Sequence, residues 1–201
     1  MSPSRNPVWS RFIGDARCRH HCRTNGAGKS TLAPHLLRDT LRIVEYVNAD
    51  TIAEGLSAFA PENASFDAGR GMRGRLRELA ADRKDFAFET TLASRSYAVR
   101  LKELQKQGYR VSLVFLGLES VDLAIARVEE RVRSGGHNIS EDTIRRRYAR
   151  GLKNLFELYI PIIDAGSVRD TSFAQSVEIA RYTKETGKVV FDEERWTKIK
   201  K

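Results

Sequence analysis

The run Asn25-Gly26-Ala27-Gly28-Lys29-Ser30-Thr31 carries the residue types that hold a phosphate group. Its glycines let backbone N–H groups wrap phosphate oxygens, Lys29 neutralises the β and γ oxygens, and the Ser30 hydroxyl ligates Mg2+. The stretch 28–39 reads as a helix, with Pro34 awkward inside it. The positive end of that helix adds a favourable dipole. A Gly-rich turn that caps a helix by chance is the bland alternative. Gly-Lys-Ser-Thr at a helix start favours the phosphate loop, with ATP and Mg2+ as cofactors. The full pattern G-x-x-x-x-G-K-[ST] wants its first glycine where Arg23 stands.

Upstream, Asp15-Ala16-Arg17-Cys18-Arg19-His20-His21-Cys22-Arg23-Thr24 lacks the near-continuous apolar run expected of a central parallel strand. Cys18-Arg19-His20-His21-Cys22 is a poor zinc site, because so short a stretch rarely presents four spaced ligands. The genetic code offers a third reading. GAT GCT CGT TGT CGT CAT CAT TGC CGG ACC encodes those ten residues. One base later the same bases give Met-Leu-Val-Val-Val-Ile-Ile-Ala-Gly, and the trailing CC opens a proline codon. A start codon, a strand and the missing Gly-Pro then run into Asn25. With these wobble bases the two frames are compatible. Residues 1–24 are expected to be an aberrant segment in a shifted frame, and residues 25–201 one domain. A chain made as written is expected to lack its first strand and to bind nucleotide weakly.

From the loop onward, strand and helix patterns alternate. Strands are expected at 42–48, 85–91 and 110–118, the last a buried parallel strand. Helices are expected in the second half of 62–84, over 96–109 with Gly108 as its stop, over 120–136 from a Ser120 cap, and over 140–159 from a Ser140 cap. A β-hairpin around Glu185-Thr186-Gly187 and a helix over 192–200 close the chain. The fold expected is α/β, a doubly wound parallel sheet.

The loop, then Val47-Asn48-Ala49-Asp50, then Phe88-Glu89-Thr90-Thr91, then an Arg-rich segment with Gly135-Gly136-His137-Asn138-Ile139 resemble, in that order, the zeta-toxin-type P-loop kinases. The resemblance covers roughly residues 25–175. It implies a P-loop kinase-like sheet with an Arg-rich helical lid, and ATP-dependent phosphorylation of a small-molecule hydroxyl. In zeta toxins proper the acceptor is UDP-N-acetylglucosamine, and an antitoxin protein is the implied partner.

The residues support matching roles. Asp50 follows a strand, so it lies at the carboxyl edge where open α/β sheets bind ligands, and it can orient or deprotonate a hydroxyl. The competing role for Asp50 is an N-cap for 51–53. Glu89 ends a strand beside the same cleft and suits Mg2+ or substrate hydroxyls, against a buried structural carboxylate. Thr90, Thr91 and Arg95 follow it as substrate contacts. Arg127, Arg131, Arg133, Arg145, Arg146, Arg147 and Arg150 flank a mobile Gly-Gly turn, forming a lid that closes on ATP. Arg131, Arg133 and Arg146 are the catalytic choices. The alternative is a solvated face paired with Glu129, Glu130, Glu141 and Asp142. His137 is a further lid contact or a solvent-side histidine, and Asp170-Thr171-Ser172 is a weaker choice for the base pocket.

Charge and composition exclude other classes. Of the net charge of +9 on 201 residues, residues 1–24 hold +4, residues 127–154 hold +4 and the remainder +1. The anion expected is therefore nucleotide phosphate and not nucleic acid, since the basic helices lack interleaved stacking aromatics. No apolar run is long enough for a membrane span, no signal peptide opens the chain, and two cysteines make no disulfide scaffold, so a cytoplasmic location is expected. An ABC-type ATPase is disfavoured, because Leu-Ser-Gly-Gly-Gln is absent. A catalytically impaired ATP-binding relic stays open, because Arg23 blocks close backbone approach.

Overall fold

A computed structural model describes residues 17–23, 43–57, 64–136 and 138–200. The elements run β1 Arg17–Arg23, β2 Glu45–Val47, α1 Ala49–Leu56, α2 Ser65–Ala81, β3 Phe86–Thr90, α3 Ser96–Lys106 and β4 Arg110–Gly117. Then come α4 Val121–Arg133, α5 Glu141–Asn154, a π-turn Leu155–Tyr159, a short 3-10 turn, β5 Ala165–Asp170, β6 Val177–Thr183, β7 Gly187–Val190 and α6 Glu193–Lys200. The strands form one sheet in the order β2-β3-β1-β4-β5-β6-β7. The first five are parallel, and β6 and β7 add an antiparallel hairpin at one edge. This is the P-loop kinase-like α/β sheet with its C-terminal hairpin.

β4 shows why the sheet is covered on both sides. Val111, Leu113 and Phe115 join one core with α2, α3, the π-turn and α6, while Val114 and Leu116 join another with α4 and α5. All five are buried, as a run without polar alternation requires.

One expectation is overturned. Arg17–Arg23 is a strand at the centre of the sheet, paired in parallel with β3 on one side and β4 on the other. Ladder bonds are made by backbone N–H and C=O groups, which any residue but proline supplies. Without β1, two facing ladders would go unpaired. Side-chain pattern was the wrong criterion for the strand's existence.

Local chemistry explains the helix ends. Ser120 caps α4 by accepting from the Leu123 N–H at 3.2 Å. Ser140 stands at the cap position of α5, but its hydroxyl bonds Thr143 Oγ1 and no backbone N–H. Gly108 ends α3 at φ 87° and Gly135 ends α4 at φ 83°, conformations that cost glycine nothing. β2 is shorter than 42–48, and α2 fills more of 62–84 than its second half. β5, with little apolar character in its sequence, was not anticipated as a separate strand. No helix among the described residues is long and apolar enough to cross a membrane.

Candidate active site

The parallel strands send their carboxyl ends to one edge. The chain leaves β1 for β2 and β3 on one side of it and for β4 and β5 on the other. That reversal is the switch point where such sheets open a crevice. The phosphate-loop residues Asn25, Gly26, Ala27, Gly28, Lys29, Ser30 and Thr31 begin two positions beyond Arg23 in sequence and lie outside the described residues, as does His137.

Glu89 is the buried polar centre of this edge, 8% exposed. β2 and β3 are in register with Tyr46 beside Ala87, which puts Tyr46 on the same sheet face as Glu89, two residues along. The Tyr46 hydroxyl donates to Glu89 Oε2 at 2.5 Å, and Asn48 Nδ2 approaches the same oxygen at 3.4 Å. The other end of the Asn48 amide accepts from the Asp50 N–H at 2.8 Å. Asn48, and not Asp50, is therefore the N-cap of α1. This corrects the alternative role given to Asp50, whose exposed carboxylate stands in the helix's first turn. Tyr46 and Asn48 were not among the site residues read from the sequence; the register that sets Tyr46 two positions before the level of Glu89, and Asn48 level with it, is visible only once β2 and β3 are known to pair.

Thr90 ends β3 and its Oγ1 accepts from the Leu92 N–H at 3.1 Å. Thr91 is half-buried in the loop that follows, and Arg95 is exposed at the start of α3. Asp50, Glu89, Thr90 and Thr91 thus share the carboxyl ends of two adjacent strands.

The lid arginines divide. Arg131 is half-buried, and its stem packs so tightly on Gly136 that a Cβ there would lie 2.6 Å from Arg131 Cγ. The Gly136 N–H also donates to the Arg131 carbonyl at 2.8 Å, so the Gly-Gly turn is a packed helix stop. Arg133 is exposed and pairs with Glu130 at 2.9 Å and Glu129 at 3.8 Å. Arg146 is exposed and bonds Thr143 Oγ1 at 3.3 Å. Arg145 pairs with Glu141 and Asp122, which raise its pKa. Arg127 donates to the Ser172 carbonyl at 2.9 Å.

The Asp170-Thr171-Ser172 segment is knitted to β4: the Thr171 hydroxyl donates to the Gly117 carbonyl and Ser172 Oγ accepts from the Glu119 N–H, both at 2.9 Å. Asp170 lines a cleft of about 240 Å³ with Glu119, Phe173, Arg195 and Lys198. Tyr148 on α5 donates to the Leu118 carbonyl at 2.8 Å, and burial first, then Glu119, pushes its pKa up to about 12. Tyr148 therefore stays a hydrogen-bond donor at any physiological pH.

The zeta toxin family model matches residues 24–160. An "Uncharacterized protein" of Haemophilus influenzae is 37% identical over 128 residues, covering 64% of this chain and 89% of that protein. Among solved structures, one of the PezAT chromosomal toxin–antitoxin system of Streptococcus pneumoniae superposes with a TM-score of 0.59 at 14% identity, over 81% of this chain and 72% of that one. The AvrRxo1-ORF1:-ORF2 structure with ATP gives 0.65 at 16% identity, over 92% and 64%. A gluconokinase from Sinorhizobium meliloti gives 0.52 at 16%, over 80% and 84%. At such identities the structural likeness is one of fold.

Proposed function

The chain belongs to the zeta toxin family, and from that premise we propose that it transfers the γ-phosphoryl group of ATP to a hydroxyl of a small molecule, a nucleotide sugar such as UDP-N-acetylglucosamine. The observation that carries this is the convergence of Asp50 and Glu89 on neighbouring strand ends, at the switch point from which the chain enters the Lys29–Ser30 motif. Asp50 orients the acceptor hydroxyl and takes its proton as the oxygen attacks phosphorus and the bond to the bridging oxygen of ADP breaks. Thr90, Thr91 and Arg95 bind the acceptor. Lys29 with Arg131, Arg133 and Arg146 neutralises the phosphoryl oxygens.

The Glu89 carboxylate, at the sheet edge and fixed by Tyr46 and Asn48, offers the hard oxygen that Mg2+ prefers, and Ser30 supplies a hydroxyl from the loop. If Glu89 and Ser30 held Mg2+, it would neutralise charge on the transferring phosphate. We propose an antitoxin as its protein partner, because one structural neighbour belongs to a toxin–antitoxin system.

The test is ATP binding and phosphate transfer to a panel of nucleotide sugars and small alcohols, with Lys29→Ala and Asp50→Ala beside the wild type. Lys29→Ala is expected to lose transfer, and Asp50→Ala to bind ATP without turnover. Equal activity in all three refutes the site.

Residues 1–24 support a second proposal, that they are read out of frame. In the shifted frame Val-Val-Val-Ile-Ile-Ala-Gly falls on Arg17 to Arg23, the residues that form β1. The flanking strands are buried along the same register, at Phe86, Ala87 and Phe88 and at Val111, Leu113 and Phe115, an environment that favours apolar neighbours. The family match begins at residue 24, immediately after this strand. The gene decides it: codons for Arg17 to Thr24 that do not yield the apolar run end the proposal. A chain made as written keeps Arg23 at the phosphate-loop glycine position, and the impaired ATP-binding relic is then the alternative to the kinase.

A further inference from the structure

Asn154 is a polar side chain only 8% exposed near the end of α5, the second lid helix, and the chemistry above does not use it. Its Nδ2 donates to the Leu92 carbonyl at 2.7 Å. Leu92 has φ 59°, in the left-handed region that a leucine rarely adopts, and it is fully buried. Such a conformation persists only where the surroundings over-determine it. Two further contacts grip the same loop. A Cβ on Gly151 would stand 2.8 Å from the Thr91 carbonyl oxygen, so only glycine lets helix and loop approach this closely. The Tyr159 hydroxyl donates to the Ser94 carbonyl at 2.6 Å.

The π-turn Leu155–Tyr159 explains how both side chains reach one loop. In an α-helix, residues five apart diverge by about 140° around the axis. The wider π-turn narrows that angle, and such turns recur at functional sites. One continuous helical element therefore carries Arg145, Arg146 and Arg147 in its first half and meets the loop between Thr90 and Arg95 at its end.

We propose that Asn154 is a positioning residue for the phosphate acceptor: with Gly151 and Tyr159 it holds Leu92 in its left-handed conformation and so sets Thr90, Thr91 and Arg95 toward the acceptor, coupling the lid helix to the acceptor loop. This rests on the kinase reading above.

The experiment uses the full chain. Asn154→Leu keeps the γ-branched shape and removes the donor; Gly151→Ala drives a methyl group onto the Thr91 carbonyl; Glu157→Gln, at an exposed position, is the control. ATP affinity is measured by titration, transfer to UDP-N-acetylglucosamine is resolved into acceptor KM and kcat, and amide hydrogen exchange is followed over 91–95. Asn154→Leu and Gly151→Ala are expected to lower acceptor kcat/KM by about tenfold to a hundredfold, with ATP affinity unchanged and exchange faster over 91–95 but not in β3. Asn154→Gln, which keeps an amide donor, recovers part of the loss. Should Asn154→Leu fail to fold, Tyr159→Phe, which removes only the hydroxyl on Ser94, is judged by the same readings. Unchanged acceptor kinetics, or a parallel loss of ATP affinity, overturns the positioning role while leaving the kinase reading standing. A wild type inert toward every acceptor overturns the kinase reading and this role with it.

Discussion

The two edges of the sheet use polar groups in opposite ways. At the amino edge Asp164 accepts from the Val111 N–H at 2.7 Å and from Gln105 Nε2 at 3.0 Å, and pairs with Lys184. Tyr109 is buried beside it, its hydroxyl near the Leu79, Ala80 and Lys84 carbonyls and its ring under Arg83. These groups tie α3, β4, the residue before β5 and the β6–β7 turn to each other. At the carboxyl edge Glu89, Asn48 and Asp50 are tied to each other, and Asp50 faces solvent. The polar groups of the amino edge join several elements of the fold, whereas those of the carboxyl edge sit at the ends of β2 and β3, where the proposed chemistry is placed. Loss at the amino edge should therefore cost stability, and loss at the carboxyl edge should cost turnover.

Asp50→Asn gives the largest expected effect. Removing a general base lowers kcat by roughly 10²–10⁴-fold. Asp50 is exposed and Asn48, two residues before it, supplies the cap, so the melting temperature should hold. A variant that loses both turnover and stability in proportion would erase the distinction between the edges.

Asp164→Asn is the mirror experiment. Burial opposes ionisation of Asp164, but the bonds from Lys184, Val111 and Gln105 outweigh it and hold its pKa below the usual 3.8. A carboxylate whose folded pKa is depressed contributes its stability above the unfolded value and loses it as pH falls through the folded one. The variant should be less stable by about 1.5–3 kcal/mol at neutral pH, the range for hydrogen bonds to a charged group. The gap to wild type should close below about pH 3.8. Denaturant melts at pH 7 and pH 3 check it, with phosphate transfer by the folded fraction unaffected.

Legibility in the sequence follows the same physical division. β4 was readable because burial on both faces writes a continuous apolar run, and α3 and α4 because Gly108 and Ser120 mark their ends chemically. Asp50 was readable as a carboxylate just past a strand, and Glu89 as one near a strand's end. β1 was unreadable because Arg17-Cys18-Arg19-His20-His21-Cys22-Arg23 has no apolar run in its sequence, and β5 because Ala165-Gly166-Ser167-Val168-Arg169-Asp170 has little more. Tyr46, Asn48 and Asn154 were invisible as site residues because their roles come from strand register and a π-turn, neither of which leaves a local pattern.

Tyr46→Phe probes how far the carboxyl edge is preorganised. It removes one hydroxyl from Glu89 and leaves the ring on β2. One hydrogen bond is worth about 0.5–1.5 kcal/mol net, so turnover is expected to fall by up to roughly tenfold. The fall should grow at limiting Mg2+ if Glu89 serves the metal. Unchanged Mg2+ dependence assigns Glu89 to the acceptor instead.

Arg133→Ala carries the smallest expected effect on stability and the sharpest question about the lid. Its pairs with Glu130 and Glu129 lie on the surface of α4, where such pairs contribute about 0–1 kcal/mol and are screened by salt. The melting temperature should barely move, and less so in high salt. Those weak pairs are what a lid arginine needs, because they hold the guanidinium until a phosphate offers a stronger partner and cost little to break. A fall in ATP affinity on Arg133→Ala, with a rise on Glu130→Gln, is expected if Arg133 exchanges one anion for the other. Identical ATP affinity in both variants leaves Arg133 a solvated surface residue and moves the proposed phosphate contact to Arg131, whose stem packs on Gly136.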